Sequence, residues 1–165
     1  MVNSNKFSVL VNKNNPLPKD YVPCDLVRYE GETSTKIDEN HKVFVEKETL
    51  ERFFDMQEDA RKLDYEILID SGYRSYDYQK PVLDFYANEV GSMEEALKTV
   101  AKPGESEHQT GLAIDFIIKR NGLVIEKMED SFDEVKWIHE NCFKYGFILR
   151  YPKGFEQITG YDYEL

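Results

Sequence analysis

The sequence predicts an α+β fold, a small antiparallel sheet flanked by helices in a single domain. Three observations predict it. Apolar residues recur at three- and four-residue spacing between Glu46 and Leu63, two short apolar runs lie at residues 66–70 and 112–118, and Asn121-Gly122 is a strong hairpin signal. A chain of 165 residues buries roughly 70% of its unfolded surface, enough for one sizeable core. The order of helices and strands, with no internal repeat or low-complexity segment, favours helices packed on an antiparallel sheet.

Each element has its own signal. Residues 12–25 carry Pro16, Pro18 and Pro23 among turn-forming residues, so residues 1–25 read as an extended arm laid over the domain. Leu50, Phe53, Phe54, Met56 and Ala60 form the apolar stripe of a first helix over Glu46–Leu63. Glu66-Ile67-Leu68-Ile69-Asp70 reads as a short buried strand ending at Ser71-Gly72. Tyr76–Val90 is a second helix, with Pro81 tolerated only in its first turns or at a kink. Ser92-Met93-Glu94-Glu95 is a capping box for a third, and Pro103-Gly104 breaks the chain. Gly111–Lys119 contains the run Leu112–Ile118, which reads as a core strand and turns at Asn121-Gly122 into Leu123-Val124-Ile125. Val135, Ile138 and Cys142 mark a helix over Asp133–Lys144 that stops at Gly146, and Phe147–Tyr151 reads as a last strand.

Charge and composition exclude several classes. With 41% hydrophobic residues, 13% of the chain aromatic and a net charge of −11, this is a folded acidic surface and not a disordered acidic tail. Such a surface disfavours phosphate backbones and anionic membrane, since that affinity comes from Lys and Arg releasing counterions. No stretch approaches the roughly 18 apolar residues of a membrane helix. The polar N-terminus lacks a signal-peptide core, so the expected location is cytoplasmic, or extracytoplasmic in the cell envelope if an export segment has been removed. Cys24 and Cys142 match no disulfide framework or zinc-thiolate spacing and read as ordinary thiols.

Two segments carry candidate chemistry. His41 and His139 stand without nearby ligand partners and read as structural or surface groups. His108 lies in a polar, Gly-flanked segment entering an apolar run that contains Asp115. An unpaired buried carboxylate there costs several kcal/mol, so Asp115 is expected to be paired or neutralised. A divalent metal held by imidazole nitrogen and carboxylate oxygen is one solution, and zinc suits that donor pair. A strand-end Asp facing solvent beside a capping His is the other. The second segment, Ser71–Gln79, leaves the first strand as a strand-to-helix loop. Arg74 in it can clamp a carboxylate or stabilise an oxyanion, or the segment is simply a turn and helix cap.

Together these segments resemble the D-alanyl-D-alanine carboxypeptidase family, which includes vancomycin-resistance-type D,D-carboxypeptidases, L,D-carboxypeptidases and D,D-dipeptidases. Leu10-Val11-Asn12-Lys13, Pro16-Leu17-Pro18 and Asp20-Tyr21-Val22-Pro23 resemble its N-terminal arm. Ser71-Gly72-Tyr73-Arg74-Ser75 with Gln79 resembles its substrate loop, and Ser106-x-His108-x-x-Gly111-x-Ala113-x-Asp115 its metal signature. Tyr145-Gly146-Phe147, Arg150-Tyr151-Pro152 and Thr159-Gly160-Tyr161 resemble the approach to its last catalytic segment. The resemblance implies a zinc metallopeptidase that removes a C-terminal D-amino acid from peptidoglycan stem peptides or their precursors. It implies Zn²⁺ ligands at His108 and Asp115, oxyanion stabilisation by Arg74, and substrate contacts from Ser106, Gln79, Tyr73 and Ser75. The family's closing motif, Glu-x-Trp-His, places the general base at Glu164; the third zinc ligand falls beyond Leu165, so the C-terminus is expected to be short of the family's last segment. The competing readings are a catalytically impaired peptidoglycan-peptide-binding or regulatory module lacking that ligand, and an acidic protein-interaction domain.

Overall fold

Helix α1 (Lys47–Arg61) lies on strand β3 (Glu66–Ser71), and the contact between them builds the main core. The computed structural model describes residues 6–34, 42–125 and 127–162. The stripe read from the sequence is the buried face of α1: Leu50, Phe53, Met56 and Ala60 are buried, whereas Phe54 stays exposed. Gln57 on the same face donates from Nε2 to the Ile67 carbonyl at 2.7 Å, tying helix to strand. The N-cap of α1 is Glu46, which is buried; its Oε2 accepts from the Thr49 amide and its Oε1 from Lys6 Nζ. Burial pushes the Glu46 carboxyl up, but Lys6 and the Thr49 amide together hold it below its ordinary value.

Strand β3 pairs antiparallel with β4 (Asp115–Arg120), which turns at Asn121-Gly122 and pairs with β5 (Leu123–Ile125), giving the order β3-β4-β5. Asn121 and Gly122 both take positive φ, as the hairpin signal requires. Ile67, Ile69 and Ile118 are wholly enclosed beneath α1. The register slips between Ile69 and Ser71, so Ile69 faces Phe116 and Ser71 faces Asp115 with Asp70 as the extra residue. Such a bulge bends a strand and re-aims the side chains beside it. Here it stands at the end of the sheet that carries Asp115. A separate two-stranded ribbon, β1 (Leu26–Arg28) with β2 (Phe44–Glu46), adds Val27 and Val45 to the core.

Helices α2 (Tyr76–Val90) and α3 (Met93–Ala96) form a smaller apolar cluster through Val82, Leu83, Ala96 and Val100. Ser75 and Ser92 cap them, Gly91 closes α2 in the left-handed region, and Pro81 sits inside α2, one turn beyond its start. Helix α4 (Asp133–Asn141) continues into a 3₁₀ turn, Cys142–Tyr145, capped by Gly146. The N-terminal arm is irregular and held by hydrogen bonds: the Leu17 amide donates to Gly104 O, and Gln109 Nε2 donates to the carbonyls of Pro18 and Tyr21. Among the described residues no helix is long and apolar enough to cross a membrane. Both cysteines are free.

Two expectations are corrected. Residues 147–151 are irregular and not a strand: the Phe147 amide closes onto Cys142 O, Ile148 is 77% exposed, and a short helix α5 (Glu156–Thr159) follows. The strand expected over Leu112–Ile118 begins only at Asp115, because Glu107–Thr110 is a 3₁₀ turn closed by Gly111 at φ +72°. The ribbon of β1 and β2 was not anticipated. His41 and Glu164 lie outside the described residues.

Candidate active site

The loop after β3 and the 3₁₀ turn before β4 are laced together by their backbones. The Arg74 amide donates to His108 O at 3.1 Å, and the Tyr73 amide donates to Phe44 O at 2.6 Å. Two glycines permit this closeness. A Cβ on Gly72 would stand 2.4 Å from Phe44 O, and one on Gly111 would stand 2.9 Å from the Leu26 side chain as well as straining a positive φ. The Glu46 amide donates to Gly111 O, so the cap of α1 also anchors the turn.

His108 is buried, with Nδ1 2.7 Å from the Gly72 carbonyl and Nε2 3.3 Å from Asp115 Oδ1. A carbonyl only accepts, so Nδ1 must carry a proton and donate. Nε2 is then the nitrogen left for a metal or a second proton. The Asp115 side chain keeps 46% exposure, with its other oxygen 3.5 Å from Arg74 Nη2. The carboxylate is therefore paired at the mouth of the strand and not enclosed within its apolar run. Desolvation by the surrounding protein raises its pKa, yet His108, by charge and hydrogen bond, and then Arg74 outweigh that and hold it at about 2. Arg74 is 14% exposed, and its Nε has no hydrogen-bond partner among the described residues. A guanidinium fork beside a carboxylate is suited to a substrate oxygen.

The remaining expected residues have partly structural duties. Ser75 Oγ accepts from the Tyr78 amide and Ser106 Oγ from the His108 amide, each leaving its O–H to donate elsewhere. Gln79 is 2% exposed and donates to Ala101 O, with Oε1 unpartnered among the described residues. Tyr73 is half-buried, and burial raises its phenol pKa. His139 is far from this chemistry in character: burial lowers its pKa and no metal-ligating group of three forms around it among the described residues. The charged cleft formed by Arg61, Asp64, Lys119, Arg120 and Glu134 borders the hairpin end of the sheet and includes none of the expected site residues.

Sequence reading missed two contributors. The Gly72 carbonyl orients His108, for which the signal was a glycine directly after an apolar strand. Glu107 accepts from Arg150 Nε at both carboxylate oxygens, at 2.7 and 2.9 Å. Its signal was an acid set between two residues of the motif.

Known proteins similar to this chain include carboxypeptidases and a bifunctional dipeptidase and carboxypeptidase. The chain belongs to the D-alanyl-D-alanine carboxypeptidase (VanY) family, whose model matches residues 42–165. It is 44% identical over 164 residues to the putative carboxypeptidase YodJ of Bacillus subtilis, covering 98% of this chain and 59% of that protein. It is 33% identical to the bifunctional D-Ala-D-Ala dipeptidase and carboxypeptidase VanXYC of Enterococcus gallinarum, covering 94% of this chain and 78% of that one. Among solved structures, the LdcB LD-carboxypeptidase superposes with TM-score 0.78 at 42% identity, covering 94% of this chain and 72% of its own. The vancomycin-resistance D,D-pentapeptidase VanY, an E175A mutant in complex with Zn(II), superposes with TM-score 0.74 at 28% identity, covering 94% and 83%. The chain thus spans about three-fifths of the Bacillus relative.

The donor pair fits zinc. His108 presents Nε2 with its other nitrogen fixed on a backbone carbonyl, the outer-shell arrangement that metal-ligating histidines adopt, and Asp115 supplies an oxygen beside it. Among the described residues no third His, Cys, Asp or Glu joins them.

Proposed function

We propose that this chain forms the peptidase unit of a zinc carboxypeptidase that removes a C-terminal D-amino acid, D-alanine, from peptidoglycan stem peptides or their precursors, in the cell envelope where that substrate lies. The observation that carries the reading is the His108 ring, fixed by Gly72 so that Nε2 meets Asp115, with Arg74 at the same carboxylate. Family membership supports the reaction class, and relatives solved with Zn(II) and with D-alanine-D-alanine support the cofactor and substrate class.

In this reading His108 and Asp115 hold the ion, which when bound acidifies water and polarises the scissile carbonyl. Arg74 places its guanidinium where negative charge gathers on that carbonyl oxygen, an interaction that strengthens as the charge develops. Ser106 and Ser75 offer their O–H groups to the peptide, Tyr73 supplies an aromatic wall, and Gln79, which is enclosed, contributes through its bond to Ala101 O. Glu164 takes the proton of the attacking water and returns it to the departing amine.

The test incubates the zinc-loaded chain with a stem-peptide analogue ending in D-alanine and measures free D-alanine. The expected result is release that a chelator abolishes and zinc restores. Binding of neither zinc nor peptide, with no release, would overturn the proposal.

A further inference from the structure

The segment that leads toward Glu164 is fastened to the turn that carries His108. Arg150 Nε donates to both oxygens of Glu107, and Tyr151 Oη donates to one of them at 3.2 Å. Glu107 is 21% exposed and lies between Ser106 and His108, both buried. Beyond Tyr151 the segment is held again. Tyr161 packs edge-on against Tyr151 with ring centroids 5.4 Å apart, Lys13 Nζ sits over the Tyr161 ring and donates to Gly160 O, and the Asp162 amide donates to Lys98 O. Exposed ion pairs contribute little. A half-buried carboxylate that collects several hydrogen bonds is a firmer tie.

We propose that Glu107 is a positioning residue: through Arg150 and Tyr151 it joins residues 150–162 to the His108 turn, so that the segment and the metal site are held as one unit. Two elements coupled in this way respond reciprocally, because whatever steadies one steadies the other by the same free energy. Zinc at His108 and Asp115 therefore tightens residues 150–162, and loosening that segment weakens zinc. The metal half of this inference rests on the function proposed above; the tie itself rests on the contacts alone.

Amide hydrogen exchange in the whole chain reads the tie directly. Glu107→Gln and Arg150→Gln are each expected to speed exchange across residues 150–162 about ten-fold, with no further gain in the double variant, while α1 exchanges as in the wild type. Exchanging the two charges, Glu107→Arg with Arg150→Glu, should restore part of the protection. Zinc should slow exchange of the same segment in the wild type, and Glu107→Gln should bind zinc about ten-fold more weakly in competition with a chelator. Unchanged exchange in the single variants, or effects that simply add, would overturn the tie. Equal zinc affinity in Glu107→Gln and wild type would overturn the coupling. A wild type that binds no zinc would overturn the functional reading, while the exchange of residues 150–162 would still decide the tie.

Discussion

His108 Nε2 stands 3.3 Å from Asp115 Oδ1, and the bulge at Asp70 sets Asp115 opposite Ser71 at the end of the sheet. The pairing joins a residue on a 3₁₀ turn to the first residue of a strand. The charge of Asp115 is what a cation at this place needs. Asp115→Asn keeps the shape and removes the charge. Zinc affinity should fall at least as far as the roughly 100-fold that losing an outer-shell partner can cause. Chelator competition measures it.

Gly72→Ala tests whether the orienting carbonyl depends on the absence of a side chain. Its Cβ would meet Phe44 O at 2.4 Å, and backbone must move to admit it. Urea unfolding should show a loss of about 1–3 kcal/mol, and zinc binding should weaken with it because the acceptor of His108 Nδ1 shifts.

Arg74 should act mainly on turnover. Arg74→Ala is expected to lower kcat about 100-fold, the scale of losing one oxyanion donor. Arg74→Lys should restore little of it, since a point charge does not replace the planar fork. Steady-state kinetics on a stem-peptide analogue separates this from a simple rise in KM.

Acid stability should depend on Glu134. Its carboxylate receives Arg120 Nε and Nη2 at 2.8 and 2.5 Å, and those bonds hold its pKa below the ordinary 4.5. A lowered folded pKa contributes stability that is complete above the ordinary value and fades as pH falls below it. Glu134→Gln should therefore lower Tm by roughly 2–4 °C at neutral pH, and the gap from wild type should close on acidification below 4.5. Thermal melts across that range check the sign.

Phe53 is wholly enclosed between α1 and the sheet and meets Tyr29 edge-on at 6.1 Å. Phe53→Ala should cost about 3–5 kcal/mol in urea unfolding, because the surrounding core closes only partly around the space left.

Much of this architecture was legible because it is local. The period of Leu50, Phe53, Met56 and Ala60 announces α1, and Asn121-Gly122 announces the β4–β5 hairpin. The ribbon was hidden because three-residue strands carry too few side chains for a period; β1 and β2 exist through pairing and through the close approach of Gly72 to Phe44. Phe147–Tyr151 has strand composition, but Gly146 and the bond from Phe147 to Cys142 curl it away. At the site, the spacing of His108 and Asp115 marked two groups that the fold brings together. The Arg150–Glu107 pair spans 43 positions, a distance that no local pattern encodes.

Zinc stoichiometry and affinity in the wild-type chain and in His108→Ala decide whether His108 and Asp115 form a metal site. One zinc per wild-type chain is expected and, in His108→Ala, a loss of binding beyond about 100-fold. A wild type that binds no zinc, or a His108→Ala variant that binds it as tightly, would rule out His108 as a zinc ligand.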